Sequence, residues 1–228
     1  MTKVELTPAY LIHRRAYQDN SLLLDFLTRD HGKIRLVARG MRKSKTKLQM
    51  FTHLHISYSG KGELKTLTHW EINDTPRVLL GEDLILGMYV NEVIDRVLPE
   101  HDPHEELFLA YQDFITSIAP LSKAQKHWSL RLFENNLLEV LGYGLSFEQD
   151  TQGDWILAEV SYEYHQQSGF CPSSQGIMPG KLLQRLATQD MNAVPDSAQL
   201  RLCRDLNRER LRLLLGDKPL NSRELYCK

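Results

Sequence analysis

The hydrophobic period of this chain changes once, and that change confines it to a fold of two kinds of structure. Up to about residue 70 apolar residues recur in short alternating or continuous runs, and from about residue 82 they recur every third or fourth position. Side chains alternate across a strand and return every ~3.6 residues around a helix, so a strand-rich part precedes a helical one. Ala9–His13 is short, apolar and β-prone, and Ser21–Thr28 is a longer apolar run ahead of a turn at Arg29–Gly32. Lys33–Arg39 alternates, with Ile34, Leu36 and Ala38 on one face and Lys33, Arg35, Val37 and Arg39 on the other. Leu54–Tyr58 and Leu64–Trp70 follow, joined through Gly60–Lys61–Gly62, whose glycines permit the positive φ of a tight hairpin. Five short strands predict a small barrel, and the five-stranded OB fold is the best match on strand count.

The second part reads as helices. Ile85, Met88/Tyr89, Val93 and Val97 form one stripe. Asp102–Pro103 is read as an N-cap followed by Pro at N1, opening a helix with Leu107, Tyr111, Phe114 and Ile118 on one face. Ser122 and Gln125 form a capping box for a third helix, which ends at Gly142. Trp155–Leu157 and Val160–Tyr162 suggest short strands, and two helices follow at about 180–188 and 197–215. The fold class is therefore α+β: an OB-fold barrel over residues 1–76 and an α-helical C-terminal domain over 77–228, with a small irregular or β insertion near 150–178.

Composition narrows the function classes. With 42% hydrophobic and 25% charged residues the chain has the balance of a soluble globular protein. No apolar run approaches the ~20 residues that span a bilayer. The opening Met1–Glu5 lacks the basic-then-apolar design of a secretory signal. Cys171, Cys203 and Cys227 are odd in number and widely spaced, which disfavours a disulfide framework and points to the cytoplasm.

Net charge is −1, yet His31–Gly62 holds eight Lys or Arg and no acid, so the remainder carries about −9 by subtraction. Within it, Arg39–Lys47 is cationic at five of nine positions and follows a strand. Lys and Arg neutralise backbone phosphates with release of counterions, so such a loop beside a barrel suits single-stranded nucleic acid. The competing reading is a solvated loop, which normally mixes signs. Phe51, Tyr58 and Trp70 are candidate stacking platforms, though aromatics on small-barrel strands more often fill the core. His53 and His55 share a strand face with no third metal ligand nearby, and no paired carboxylates, activated nucleophile or phosphate loop stand out; no metal, cofactor or enzymatic activity is expected. In the third helix, Arg131 borders a surface that includes Trp128, Leu130 and Phe133. It is either an ordinary Arg beside a core helix or a clamp for a peptide carboxylate.

Several strings resemble the RecO family of recombination mediators, in order along nearly the whole chain: Leu22–Thr28, Gly32–Arg42, Gly60–Leu67, Gly87–Glu92, Arg131–Glu134, Leu141–Gly144 and Gly216–Leu225. The resemblance implies a DNA repair protein of the RecF pathway that binds single- and double-stranded DNA and anneals complementary strands. It further implies that the protein engages the acidic C-terminal tail of SSB and, with RecR, promotes RecA loading on SSB-coated strands, with RecF as a further partner and a nucleoid-associated cytoplasmic location. Lys33, Arg35, Arg39, Arg42, Lys43, Lys45, Lys47 and Lys65 are the expected DNA contacts, and Arg131, Trp128 and Phe133 the expected SSB-tail contacts. Many relatives hold zinc through two Cys-x-x-Cys pairs, whereas here Cys171 stands without such a partner, so zinc is not expected. The alternative is an OB-fold protein adaptor or a structured-RNA binder without annealing activity.

Overall fold

In the computed structural model, which describes residues 2–44, 48–62 and 64–225, the first five strands are β1 (Thr2–Tyr17), β2 (Ser21–Thr28), β3 (Gly32–Ala38), β4 (Leu54–Gly60) and β5 (Lys65–Ile72). They close into a barrel in the order β1-β2-β3-β5-β4. Closure depends on β1, which is longer than its apolar core predicts. Its first half pairs with β4 from Thr2 to Ala9 and its second half with β2 from Ala9 to Tyr17, with register shifts between Val4 and Thr7 and between Leu11 and His13. Such irregularities bend a strand and increase its twist, so one strand serves two edges.

Ile34, Leu36 and Ala38, the apolar face read from the alternation of β3, lie inside the barrel together with Ala9, Leu11, Leu24, Phe26, Leu54, Ile56 and Tyr58. A second layer covers part of its outside. Helices α1 (Gly81–Val97) and α2 (Glu105–Ser117) belong to the same compact unit, and Tyr10, on the outer face of β1, packs its ring against Phe108 and Tyr111 of α2. The buried stripe of α1 is Leu86, Tyr89, Val90, Val93 and Ile94: of the line expected from spacing, Tyr89 and Val93 are buried, and Ile85, Met88 and Val97 are half-buried. Gly87 lies in that stripe because a Cβ there would stand 2.8 Å from the Phe51 ring. The cap of α2 is His104, without a side-chain cap bond, so Asp102–Pro103 precede the helix instead of opening it.

A second unit spans Pro120–Gly216, and Asp217 onward returns to the first unit. The second unit contains α3 (Lys123–Val140), a sheet of β6 (Ser161–His165), β7 (Gly169–Pro172) and β8 (Met178–Pro179) in the order β7-β6-β8, α4 (Gly180–Thr188) and α5 (Ser197–Leu215). The capping box at Ser122 is formed: Ser122 Oγ accepts from the Gln125 amide and Gln125 Oε1 accepts from the Ser122 amide at 3.0 Å. Trp128, Ile156, Tyr162, Phe170, Met178, Leu182 and Leu186 fill this core. The sheet lies within the segment read as an irregular insertion, but Trp155–Leu157 is not one of its strands.

Candidate nucleic-acid interface

The cationic stretch that runs continuously in the sequence is divided by the fold. At the β2-proximal start of β3, Lys33 is buried at 6% exposure and its ammonium donates to the Asp95 carbonyl of α1. Burial lowers its pKa. Arg35 Nε donates to Asp25 Oδ1 at 2.6 Å, and its Nη1 lies 2.8 Å from Glu100. Burial opposes the charge on Arg35, but the Asp25 hydrogen bond and the surrounding carboxylates outweigh it and raise its pKa. These two residues, expected at a DNA surface, are instead neutralised within the barrel unit. Asp25 is itself buried, and the hydrogen bonds from His13 and Arg35 overcome the burial that would raise its pKa, holding it low.

At the other end of β3 the cations are open. Arg39, Arg42 and Lys43 are exposed and, among the described residues, none has a carboxylate within ion-pair distance. Lys45 and Lys47 lie outside the described residues. Lys65 stands beside Leu36 at the start of β5, its ammonium 5.8 Å from the centre of the Tyr58 ring. Tyr58 and Phe51 are buried and Trp70 is half-buried against the barrel core, so the fold uses these aromatics for packing.

The register adds two arginines that sequence reading missed. Ala16 pairs with Leu22 and Leu22 with Ala38, which sets Arg14 and Arg15 of β1 at the same end of the barrel as Arg39. Both are exposed. Arg14, Arg15 and Arg42 ring a recess of about 270 Å³ between β1, β2 and the loop after β3. The only signal for them was the Arg14–Arg15 pair at the end of an apolar run, which carries no meaning until the strands are paired.

The helical unit offers a second recess, of about 550 Å³, between α3 and α5. Lys123, His127 and Arg131 line one wall and Leu200, Arg201 and Arg204 the other, with no acid in the lining. Arg131 is 6% exposed and pairs with Glu134 at 2.9 Å. Trp128 and Phe133, expected beside it in a peptide site, are core residues: Trp128 is fully buried and its indole N–H donates to the Asp190 carbonyl at 2.9 Å. Phe133 lies about 200° around α3 from Arg131 and is buried; Trp128, one turn before Arg131, is buried in the core of this unit. Arg210 of α5 is also buried. It donates to Asn135 Oδ1, Asn207 Oδ1 and the Tyr143 carbonyl, and burial lowers its pKa to about 10.

Two family models match in sequence, Recombination protein O N terminal over residues 1–76 and Recombination protein O C terminal over 81–224. The chain belongs to the RecO family. It is 39% identical to the DNA repair protein RecO of Coxiella burnetii over 99% of both chains, and 35% identical to those of Pseudoalteromonas translucida and Psychromonas ingrahamii over 96% and 98% of both. A role in DNA repair and recombination follows from that membership. The strings that carry the RecO resemblance have visible structural work. Asn91 Oδ1 accepts from the buried Tyr111 hydroxyl at 2.7 Å, and Glu92 accepts from the Asn221 and Ser222 amides, holding the last helix, α6 (Asn221–Glu224), on α1. Asn207 joins Arg131 and Glu134 by donating to the Arg131 carbonyl and Glu134 Oε2. One grouping escaped the sequence reading: His13, Asp25 and Asp95 bring three ligand atoms within 4.8 Å of one another. Arg35 and the Lys33 ammonium already stand against these carboxylate-bearing residues, which makes the setting a poor one for a further cation. Among the described residues no helix is long and apolar enough to cross a membrane.

Proposed function

We propose that this RecO-family chain is a non-enzymatic recombination mediator that binds single- and double-stranded DNA at the open end of its barrel and anneals complementary strands. With RecR it promotes RecA loading on SSB-coated DNA in the nucleoid-associated cytoplasm, RecF being a further partner. The observation that carries this reading is the convergence of Arg14, Arg15, Arg39, Arg42 and Lys43 at one barrel end, exposed and without carboxylate partners among the described residues. Annealing requires no bond chemistry; it requires that two polyanions be neutralised close together, and a shared cationic surface does this. Lys65 belongs to the same surface, and Lys45 and Lys47, by their place in the sequence, are further DNA contacts in this reading. The recess between α3 and α5 suits the acidic tail of SSB: cations at its rim attract the acidic residues, Arg131 and Arg201 receive the terminal carboxylate, and the apolar part accepts side chains.

An oligonucleotide annealing assay with and without SSB tests the reading. The wild-type protein accelerates annealing of SSB-coated strands, and Arg39→Ala/Arg42→Ala/Lys43→Ala abolishes this while lowering the single-strand salt slope by about 2, roughly 0.7 per lost contact. DNA affinity that is flat between ~50 and ~200 mM salt rejects the assignment. Lys123→Ala/Arg201→Ala weakens binding of an SSB-tail peptide about tenfold without altering DNA affinity, the loss of two charge-assisted contacts. Preference for structured RNA over single-stranded DNA would favour the RNA-binding alternative.

A further inference from the structure

A surface that only neutralised phosphates would need no depth, yet the arginines at the barrel end surround a recess with an apolar floor. Leu11 and Leu24 belong to the barrel core and reach the bottom of this recess, and Met41 and Leu48 close its loop side. Arg14, Arg15 and Arg42 stand at its rim, and no acidic residue lines it. Two contacts hold the rim in place before any ligand arrives: Arg14 donates to the Leu48 carbonyl at 3.4 Å and Arg42 to the Gln18 carbonyl at 3.3 Å. The Arg42 amide also donates to the Asn20 carbonyl at 3.4 Å, which ties the loop after β3 to the β1–β2 turn.

We infer that this recess is a subsite for one unstacked nucleobase, its flanking phosphates held by Arg14, Arg15 and Arg42. The inference rests on the reading that this end of the barrel binds DNA, and adds what the strand does there. The occupant must have an apolar face, fit about 270 Å³, and carry negative charge immediately outside. That volume is below the ~300–1,000 Å³ of pockets for drug-sized ligands, so it admits a single heterocycle and not a base pair. A nucleotide within a single strand meets all three conditions, whereas a duplex must first unstack and unpair a base. The floor is aliphatic and the rim binds phosphate, so the subsite distinguishes an available base from an unavailable one and takes no account of sequence. Each bound strand thereby has a base drawn out of its stack.

Binding of the full chain to labelled oligothymidylate, to a strand of equal length with abasic residues, and to duplex tests this. Wild type binds the base-bearing strand about fivefold tighter than the abasic one, ~1 kcal/mol. Ala16→Phe fills the recess from β1 without changing charge; it removes that difference and leaves abasic-strand and duplex affinity unaltered. Met41→Phe fills it from the loop and gives the same result, and the wild-type comparison needs no variant at all. Equal wild-type affinity for the two strands overturns the subsite while salt-dependent binding leaves the cationic surface intact. Failure to bind any of the three DNAs overturns the functional reading itself.

Discussion

Lys33 and Arg35 of β3 and Arg39 just beyond it are cations at alternate positions of the sequence, and chemistry alone does not separate them; their neighbours do. Arg35 is the partner of a buried carboxylate, so Arg35→Ala leaves Asp25 with His13 alone and destabilises the protein by about 2 kcal/mol, with single-strand affinity unchanged. Urea denaturation paired with DNA titration checks this, and weaker DNA binding at unaltered stability would return Arg35 to the interface. Arg39→Ala behaves oppositely, because its exposed side chain stabilises nothing that the structure shows. His13 gives a pH signature. Its hydrogen bond to Asp25 raises its pKa above 6.5, while hydrogen bonds from His13 and Arg35 hold Asp25 below 3.8. A base whose pKa rises on folding contributes stability fully below its unfolded value and loses it as pH climbs through the folded value; an acid whose pKa falls loses its contribution as pH drops through the folded value. The pair therefore stabilises most between the two ordinary values. The stability difference between wild type and His13→Gln is expected to be largest near pH ~5 and to shrink on the alkaline side, by at most about 1 kcal/mol because His13 is substantially exposed. A difference that grows above neutrality would contradict it.

At the scale of elements, local sequence and tertiary packing agree best where one hydrogen-bonding pattern decides the outcome. The α3 capping box is such a case, and Ser122→Ala is expected to cost about 1 kcal/mol in thermal unfolding, since it orphans an amide at the helix start. Gly32 is another. It has φ +65°, and a Cβ there would collide with the Asp102 backbone. Gly32→Ala is therefore expected to destabilise by about 2 kcal/mol or more, combining left-handed strain with displacement of the segment before α2. Stability equal to wild type would contradict close packing of the β2–β3 turn on the Asp102 backbone. The elements that local reading placed poorly are those whose boundaries depend on partners. β1 extends well beyond its apolar centre because both of its halves find an edge to pair with, and the α1 stripe keeps Tyr89 and Val93 of the expected line but adds Leu86, Val90 and Ile94, with Gly87 packed against the Phe51 ring.

For the molecule as a whole, the chain ends by returning to its first unit. Arg96 donates to the Lys218 and Pro219 carbonyls, Glu92 holds the Asn221 and Ser222 amides, and Leu220 is buried. Removing residues 217–228 is expected to lower hydrogen-exchange protection in α1 while α3 and α5 keep theirs, because the second unit closes its core without that segment. Loss of protection in α3 would show that the two units do not fold as separable bodies. The five strands, the α3 cap, the last two long helices and the crowding of cations between His31 and Gly62 were legible in the sequence, because periodicity, capping and charge density are properties of neighbouring residues. Which cations remain available was decided only by tertiary structure. Lys33 meets Asp95 at a separation of 62 residues, Arg14 and Arg15 join the cluster through strand register, and Trp128 turns from candidate contact to core. Neutralisation and burial depend on which distant groups are brought within a few ångströms, and no local pattern encodes that.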